Sequence, residues 1–298
     1  MSQFKYLLGP MRVPFLILAP VCVLLGWGTA VWRVGPVSIA YLLLALVGAV
    51  SAHISVNALN EYFDFRSGLD TRTQRTPFSG GSGTLPARPE MARPALIIGL
   101  AALAITGIIG LYFLYVWGLA LLPLGLLGLV TIVVYTVWLT RHPVLCLFAP
   151  GLGFGLLMVM GTDFALTGQY SWTAFVASLV PFFLVNNLLL LNQFPDVEAD
   201  RSVGRKHFPI VIGRRASSLI YGAFLLCTYL AIILGVYLGW LPRASLLGLL
   251  TLVLAVPAGV GAYRYAEDIG RLVPYMILNV LINIITPVLV AVGLFIGG

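Results

Sequence analysis

The chain has 298 residues, of which 60% are hydrophobic and only 9% charged, and its formal net charge is +7. An ordinary soluble domain carries about 25% charged residues, so this composition excludes a soluble enzyme, a disordered chain and a small disulfide scaffold. What remains is an all-α, polytopic membrane protein. At roughly 20 apolar residues per crossing, the chain has room for eight to ten helices with short loops.

Taken in chain order, the apolar runs predict nine membrane helices, near 11–32, 36–65, 94–117, 120–140, 144–166, 173–199, 216–240, 244–263 and 272–296. Run length and gaps in charge mark them better than a 3.6-residue period does, because a helix in lipid can be apolar all round. The alternating ten-residue segments of a transmembrane β-barrel are absent from the sequence. The first run is long and no small-residue cleavage site follows it, so it reads as a retained helix rather than a signal peptide. With no soluble domain expected at either end, 1–298 reads as a single transmembrane domain. Cys22, Cys146 and Cys227 all fall inside apolar runs, and an odd number without motif spacing argues against a disulfide framework or a zinc site.

The basic residues set the expected orientation. With the N-terminus in the cytoplasm, 15 of the 17 Lys and Arg residues fall in cytoplasmic segments, and only Arg33 and Arg243 fall outside. Such a bias is the positive-inside pattern for a nine-span chain with its C-terminus outside. Trp27, Trp32, Trp117, Trp172 and Trp240 lie near predicted outer ends and Trp138 near an inner end, as an interfacial belt requires. The positive charge is therefore topological and does not call for a nucleic-acid partner.

Acidic residues number ten, and six of them sit in two short stretches, NEYFDFRSGLD at 60–70 and NQFPDVEAD at 192–200. Ionisable groups at membrane depth are costly and usually functional. Asn60 and Asp64 are four residues apart, and Asn192, Asp196 and Asp200 repeat that spacing, so each set shares one helix face. Both stretches end even-numbered spans and so reach the cytoplasmic surface together, at helix C-termini where the macrodipole favours cations. Carboxylate and amide oxygens without His or Cys describe a hard-cation site. Magnesium fits best, since it takes one or two carboxylates together with phosphate oxygens and water. The candidate metal ligands are Asn60, Asp64, Asp70, Asn192, Asp196 and Asp200.

Polar residues continue each stretch into the membrane. His53, Asn57, Asn60 and Asp64 step by 4, 3 and 4 along the second span. Asn186, Asn187, Asn192 and Gln193 lie on the sixth, and Tyr275, Asn279, Asn283 and Thr286 step by 4, 4 and 3 on the ninth. Such faces turn toward the bundle interior, where they either bond neighbouring helices or line a cavity. Each acidic stretch is followed by a basic loop, with Arg72, Arg75 and the run TPFSGGSGT after the first and Arg201, Arg205, Lys206 and His207 after the second. Acid beside base, duplicated at two parallel helix ends, suits a receptor for metal plus polyphosphate, with Arg binding phosphate oxygens bidentately and the Gly/Ser run offering backbone N–H groups. The run is not a P-loop, since no Gly-Lys-Ser/Thr follows.

At these residues the chain resembles the UbiA superfamily of intramembrane aromatic prenyltransferases. The likeness spans nine helices with one Asn/Asp motif after the second and another after the sixth. The six-residue step from Asp64 to Asp70 is similar to the 1,4-dihydroxy-2-naphthoate branch, which makes menaquinone precursors. The ubiquinone branch more often has its next Asp where this chain has Gly68, and Glu61 stands where many members have Asp. The resemblance implies Mg2+-dependent transfer of a polyprenyl group from polyprenyl diphosphate to an aromatic or quinol-like acceptor. Asp64 and Asp196 would carry the catalysis. Arg72, Arg75, Arg201, Arg205 and Lys206 would bind the diphosphate, with Arg12 near the headgroup. His53, Asn57 and Tyr62 would lie on the acceptor side. The expected setting is the cytoplasmic membrane, with the site facing the cytoplasm. Another quinone precursor, a phenolic acid or a glyceryl phosphate are alternative acceptors. A secondary transporter is the competing class, disfavoured because its charged sites usually lie near the midplane.

Overall fold

A computed structural model describes residues 4–70, 72, 75–76 and 78–297, with side chains from Tyr6 onward. Among the described residues there are helices and no strand. A short α1 (Phe4–Met11) precedes α2 (Val13–Val34), followed by α3 (Ile39–Ser67), α4 (Pro89–Trp117) and α5 (Leu119–Val134). Then come α6 (Pro143–Thr167), α7 (Trp172–Ser202), α8 (Arg214–Tyr237), α9 (Arg243–Arg264) and α10 (Ile269–Ile296). Eight of these are long and apolar enough to cross a membrane, which makes the chain an integral, multi-pass membrane protein. The run expected at 120–140 is the exception. Helix α5 stops at Val134, because the chain leaves the helical path at Tyr135–Trp138 and closes a 3-10 turn at Leu139–Arg141, so it falls short of roughly 20 residues.

Local chemistry fixes the helix ends. Ser38 and Ser171 accept the backbone N–H of Tyr41 and Ala174 at 3.4 and 3.0 Å, capping α3 and α7. Gly68, at φ 77, ends α3 in the left-handed conformation that suits a residue without Cβ, and the chain turns there between Asp64 and Asp70. The α1 helix was not foreseen from the sequence. It is separated from α2 by Arg12, at φ 50 and ψ 51, the one non-glycine with positive φ among the described residues.

Helix α7 is central, packed by α2, α6, α8 and α10, and 72% of its most apolar window is buried against 17% for α4. Helix α4 instead covers α3 from the lipid side, where the Ser55 hydroxyl donates to the Gly99 carbonyl at 2.9 Å. Polar groups tie the far side of the bundle. Asn187 Nδ2 donates to the Tyr221 carbonyl at 2.9 Å, Tyr221 OH to Asn279 Oδ1 at 3.1 Å, and Asn283 Nδ2 to the Asn279 carbonyl at 2.9 Å. Thr251 and Thr286 share a 2.8 Å contact. On the polar stripe of the ninth predicted span, Asn279 and Thr286 are therefore interhelical glue, the role such groups take where no water is available, while Asn283 bonds within its own helix.

Inside α6, Leu152–Val159 widens into a π-helix. Asn186 Oδ1 accepts the Gly151 N–H at 2.6 Å just before it, satisfying a donor that an irregular helix would leave exposed. Both Gly153 and Phe154 of this segment line the cavity between α3, α5 and α6.

Candidate active site

That cavity has a volume of about 660 Å³ and two chemically distinct ends. Its inner part is walled by Ala45 and Gly48 on α3, Phe113 on α4, Leu121 and Gly125 on α5, and Leu157 on α6. Its mouth gathers Asn60, Asp64 and Asp70 from the end of α3 and Asn192, Asp196 and Asp200 from the end of α7. The two acidic stretches, more than 120 residues apart, thus meet at one opening.

Arg205 joins them. Its Nη1 bridges to Asp200 Oδ1 at 3.0 Å, and its Nη2 donates to Asp64 Oδ1. Burial by itself would lower the Arg205 guanidinium, but Asp64 and Asp200 outweigh it and hold it above its ordinary value. His207 is buried and places Nε2 2.9 Å from the other oxygen of Asp200. On the opposite rim, Arg12 donates from Nε to Glu61 Oε1 at 2.8 Å and from Nη2 to Asn60 Oδ1 at 3.2 Å, while Asn60 Nδ2 donates to Thr136 Oγ1 at 3.1 Å. Asp70 lies beyond the helix, where burial first, then the nearby Glu61 and Asp64, push its carboxyl up to about 7.

Several oxygens at this mouth lack donors. Asp70 Oδ2, Asn192 Oδ1 and Asp196 Oδ1 are buried with no hydrogen-bond partner. Buried acceptors are normally satisfied, so three orphans at one opening mark a place for a donor or a cation. Among the described residues no three His, Cys, Asp or Glu side chains close into a ready-made cluster. The donors are split between two helices and are all oxygens, a set that suits a hard cation sharing its coordination with a phosphate. The residues present fit magnesium in that manner.

The other sequence-derived candidates divide. Both His53 and Asn57 line the cavity. His53 is buried with Nδ1 unpartnered and its ring edge-on to Phe154 at 4.6 Å, and Asn57 Nδ2 donates to the Met11 carbonyl at 3.0 Å. Tyr62 points elsewhere, edge-on to Phe63 at 5.3 Å, and is not part of the lining. Of the five basic candidates only Arg205 lines the cavity. Arg72 donates to Ser202 Oγ at 3.3 Å, Arg75 to the Ser82 carbonyl at 2.9 Å, Arg201 pairs with Glu198 at 3.2 Å, and Lys206 is exposed. The side chains of these four reach partners or solvent away from the opening, although Ser79, Gly80 and Gly81 after the first acidic stretch and Arg205 and His207 after the second line it. Tyr135, Thr140, Cys146 and His207 line the cavity without having been singled out as site residues, since nothing in their spacing marks them.

Residues 19–281 match the UbiA prenyltransferase family. The chain belongs to that family, and it is a prenyltransferase. Among curated relatives, 1,4-dihydroxy-2-naphthoate octaprenyltransferase of Bacillus subtilis is 27% identical over 221 residues, covering 72% of this chain and 68% of that protein. Digeranylgeranylglyceryl phosphate synthase of Thermococcus kodakarensis is 26% identical over 193 residues, covering 62% and 63%. Among solved structures, the apo UbiA homologue of Aeropyrum pernix covers 96% of this chain and 98% of its own, with a TM-score of 0.72 at 20% identity. A UbiA homologue of Archaeoglobus fulgidus bound to DMAPP and Mg2+ gives a TM-score of 0.61 at 18% identity, covering 97% and 99%.

Proposed function

We propose that this family member transfers a polyprenyl group from polyprenyl diphosphate to an aromatic acceptor, with Mg2+, and that the acceptor is 1,4-dihydroxy-2-naphthoate. The observation that carries the reading is the joining of Asn60, Asp64 and Asp70 with Asn192, Asp196 and Asp200 at the mouth of one apolar cavity. The 1,4-dihydroxy-2-naphthoate octaprenyltransferases among its relatives support the acceptor, and the DMAPP- and Mg2+-bound homologue supports the donor and metal. The digeranylgeranylglyceryl phosphate synthases among its relatives favour a glyceryl phosphate as second choice.

The chemistry follows from the two ends of the cavity. Breaking the allylic C–O bond leaves diphosphate with growing negative charge, and a preorganised positive environment lowers that barrier. Asp64, Asp70, Asp196 and Asp200, with Asn60 and Asn192, would hold the magnesium, which when bound supplies Lewis-acid charge for the leaving diphosphate. Arg205 turns its guanidinium from the carboxylates to the phosphate oxygens, and Arg12 faces the same opening. In this scheme Arg72, Arg75, Arg201 and Lys206 raise the positive potential at the rim and draw the diphosphate in. The allylic cation forms beside the apolar wall, away from water. The acceptor ring attacks as a carbon nucleophile and then loses a proton or its carboxyl group. His53 and Asn57 orient it from inside the cavity. The N-terminus and the site face the cytoplasm, in the cytoplasmic membrane, the side that collects the Lys and Arg residues.

Purified protein incubated with labelled polyprenyl diphosphate and a panel of acceptors, with magnesium or with chelator, tests the reading. Magnesium-dependent labelling of 1,4-dihydroxy-2-naphthoate is expected, and labelling of the glyceryl phosphate alone would reassign the acceptor.

A further inference from the structure

Glu61 is fully buried, does not line the cavity, and has no part in the chemistry above. Yet three donors from two distant segments converge on it. Arg12 Nε reaches Oε1 at 2.8 Å, the Ser82 N–H reaches Oε1 at 2.6 Å, and the Ser82 hydroxyl reaches Oε2 at 2.9 Å. Arg12 belongs to the left-handed break between α1 and α2, a conformation that persists in a non-glycine only where its surroundings hold it. Ser82 belongs to the Gly/Ser run, whose Ser79, Gly80 and Gly81 line the cavity mouth. Gly80, Gly81 and Gly83 take φ values of 83, 71 and 69. A Cβ at Gly81 would lie 3.1 Å from Glu61 Oε1 and 3.2 Å from Asp70 Oδ1, so the backbone there is pressed onto the carboxylates. Ser79 and Gly80 lie within interaction range of Asp196. The run therefore spans the opening from one acidic set to the other, and Glu61 holds it from behind.

We propose that Glu61 is a positioning residue that straps Ser79–Gly83 across the cavity mouth and so keeps water from the allylic cation. The inference rests on prenyl transfer being the reaction. When the C1–O bond breaks, its electron pair leaves with diphosphate. Water that entered would bond through oxygen to C1, release its proton to bulk water, and give a prenyl alcohol in place of the prenylated acceptor. The ratio of alcohol to prenylated product therefore reports how well the mouth is closed. Reach is what matters. Aspartate at position 61 is one carbon shorter, about 1.5 Å, and cannot meet Ser82 while α3 stays in place. Glutamine keeps the length, accepting the Ser82 N–H and donating to the Ser82 hydroxyl.

The test uses the full chain in proteoliposomes with labelled polyprenyl diphosphate, magnesium and 1,4-dihydroxy-2-naphthoate. Glu61→Asp is expected to raise the alcohol-to-product ratio about tenfold, and Ser82→Ala about fivefold, the range for one or two lost hydrogen bonds to a charged group. Glu61→Gln restores a ratio close to that of the natural protein, and the KM for the acceptor stays unchanged throughout. Ser82→Ala leaves every buried charge paired, so it serves even if Glu61→Asp does not fold. Natural ratios in Glu61→Asp and Ser82→Ala, or a fall in kcat with the ratio unchanged, would overturn the inference. A natural protein that neither transfers nor cleaves the diphosphate overturns the prenyl-transfer reading, and this inference with it.

Discussion

Asp64→Asn isolates the acidic mouth with little disturbance to the fold. Asp64 is 6% exposed and pairs with Arg205, which also holds Asp200 at 3.0 Å. The substitution therefore leaves the guanidinium with a carboxylate partner and removes one charge without changing shape. Losing one of two charge-assisted bonds costs about 1–2 kcal/mol of stability, well below the roughly 3–5 kcal/mol of a fully orphaned buried charge. Catalysis suffers more. Removing one group that stabilises developing negative charge costs on the order of 10²–10³ in kcat, about 3–4 kcal/mol of barrier. The assay is the initial rate of labelled prenyl transfer over a magnesium titration, beside thermal melting of the same sample. A variant that melts within a few degrees of the natural protein, transfers at least about a hundredfold more slowly and needs more magnesium is the expected outcome. Transfer within about fivefold of the natural rate at saturating magnesium would refute the reasoning.

Arg205→Met should reverse that balance, since it leaves Asp64 and Asp200 facing each other with only His207 on one side. Melting should drop by the equivalent of about 3–5 kcal/mol without metal, and added magnesium should recover more stability than in the natural protein. Because Asp70 takes up its proton near 7, above the ordinary carboxylate range, magnesium must displace that proton in acid. Metal affinity is expected to be level well above pH 7 and to fall at least about tenfold per unit below it, and to fall less steeply in Asp70→Asn. His53→Phe keeps the edge contact with Phe154 and removes the unpartnered nitrogen, so its KM for the acceptor should rise about tenfold with the KM for prenyl diphosphate unchanged, as steady-state kinetics would read. Asn279→Leu should lower melting by about 1 kcal/mol and leave transfer rates intact.

The elements legible in the sequence are those where one property decides. Hydropathy alone marks eight long helices because a lipid-facing surface admits few other residues. It overran on α5, where Tyr135 to Thr140 is apolar enough to read as helix yet turns to bring Tyr135 and Thr140 to the cavity. The acidic sets were legible because Asp and Asn at four-residue spacing are costly in a membrane. The basic residues were less so. An arginine after a helix end can face phosphate, a neighbouring carboxylate or water, and spacing does not distinguish Arg205, between Asp64 and Asp200, from Arg201, on Glu198. Glu61 was visible only as a departure from a familiar motif, since its partners lie in segments remote along the chain. The Asn279 stripe had two readings that periodicity could not separate, and its bonding to Tyr221 decided between them.

Among the described residues the buried Asp163 site contrasts with the cavity mouth in how its oxygens are bonded. Asp163, between α2 and the loop before α7, is as deeply buried as any carboxylate in the chain. Thr29 Oγ1 donates to one of its oxygens at 2.9 Å, and Arg33 Nη2 and the Ser171 hydroxyl donate to the other at 3.2 and 3.3 Å. Both oxygens are served by the protein itself, and the site joins α2, α6 and the Ser171 cap of α7. At the cavity mouth the reverse holds, with Asp70, Asn192 and Asp196 each keeping an oxygen that no donor reaches. A fold that can satisfy Asp163 so fully could have satisfied these too. Leaving three acceptors unpaired costs stability at each, and that cost is recovered only when something positive arrives with the substrate. Unmet hydrogen bonding therefore sets the mouth as a whole apart from the Asp163 site, even though Arg205 and His207 serve Asp64 and both oxygens of Asp200 there.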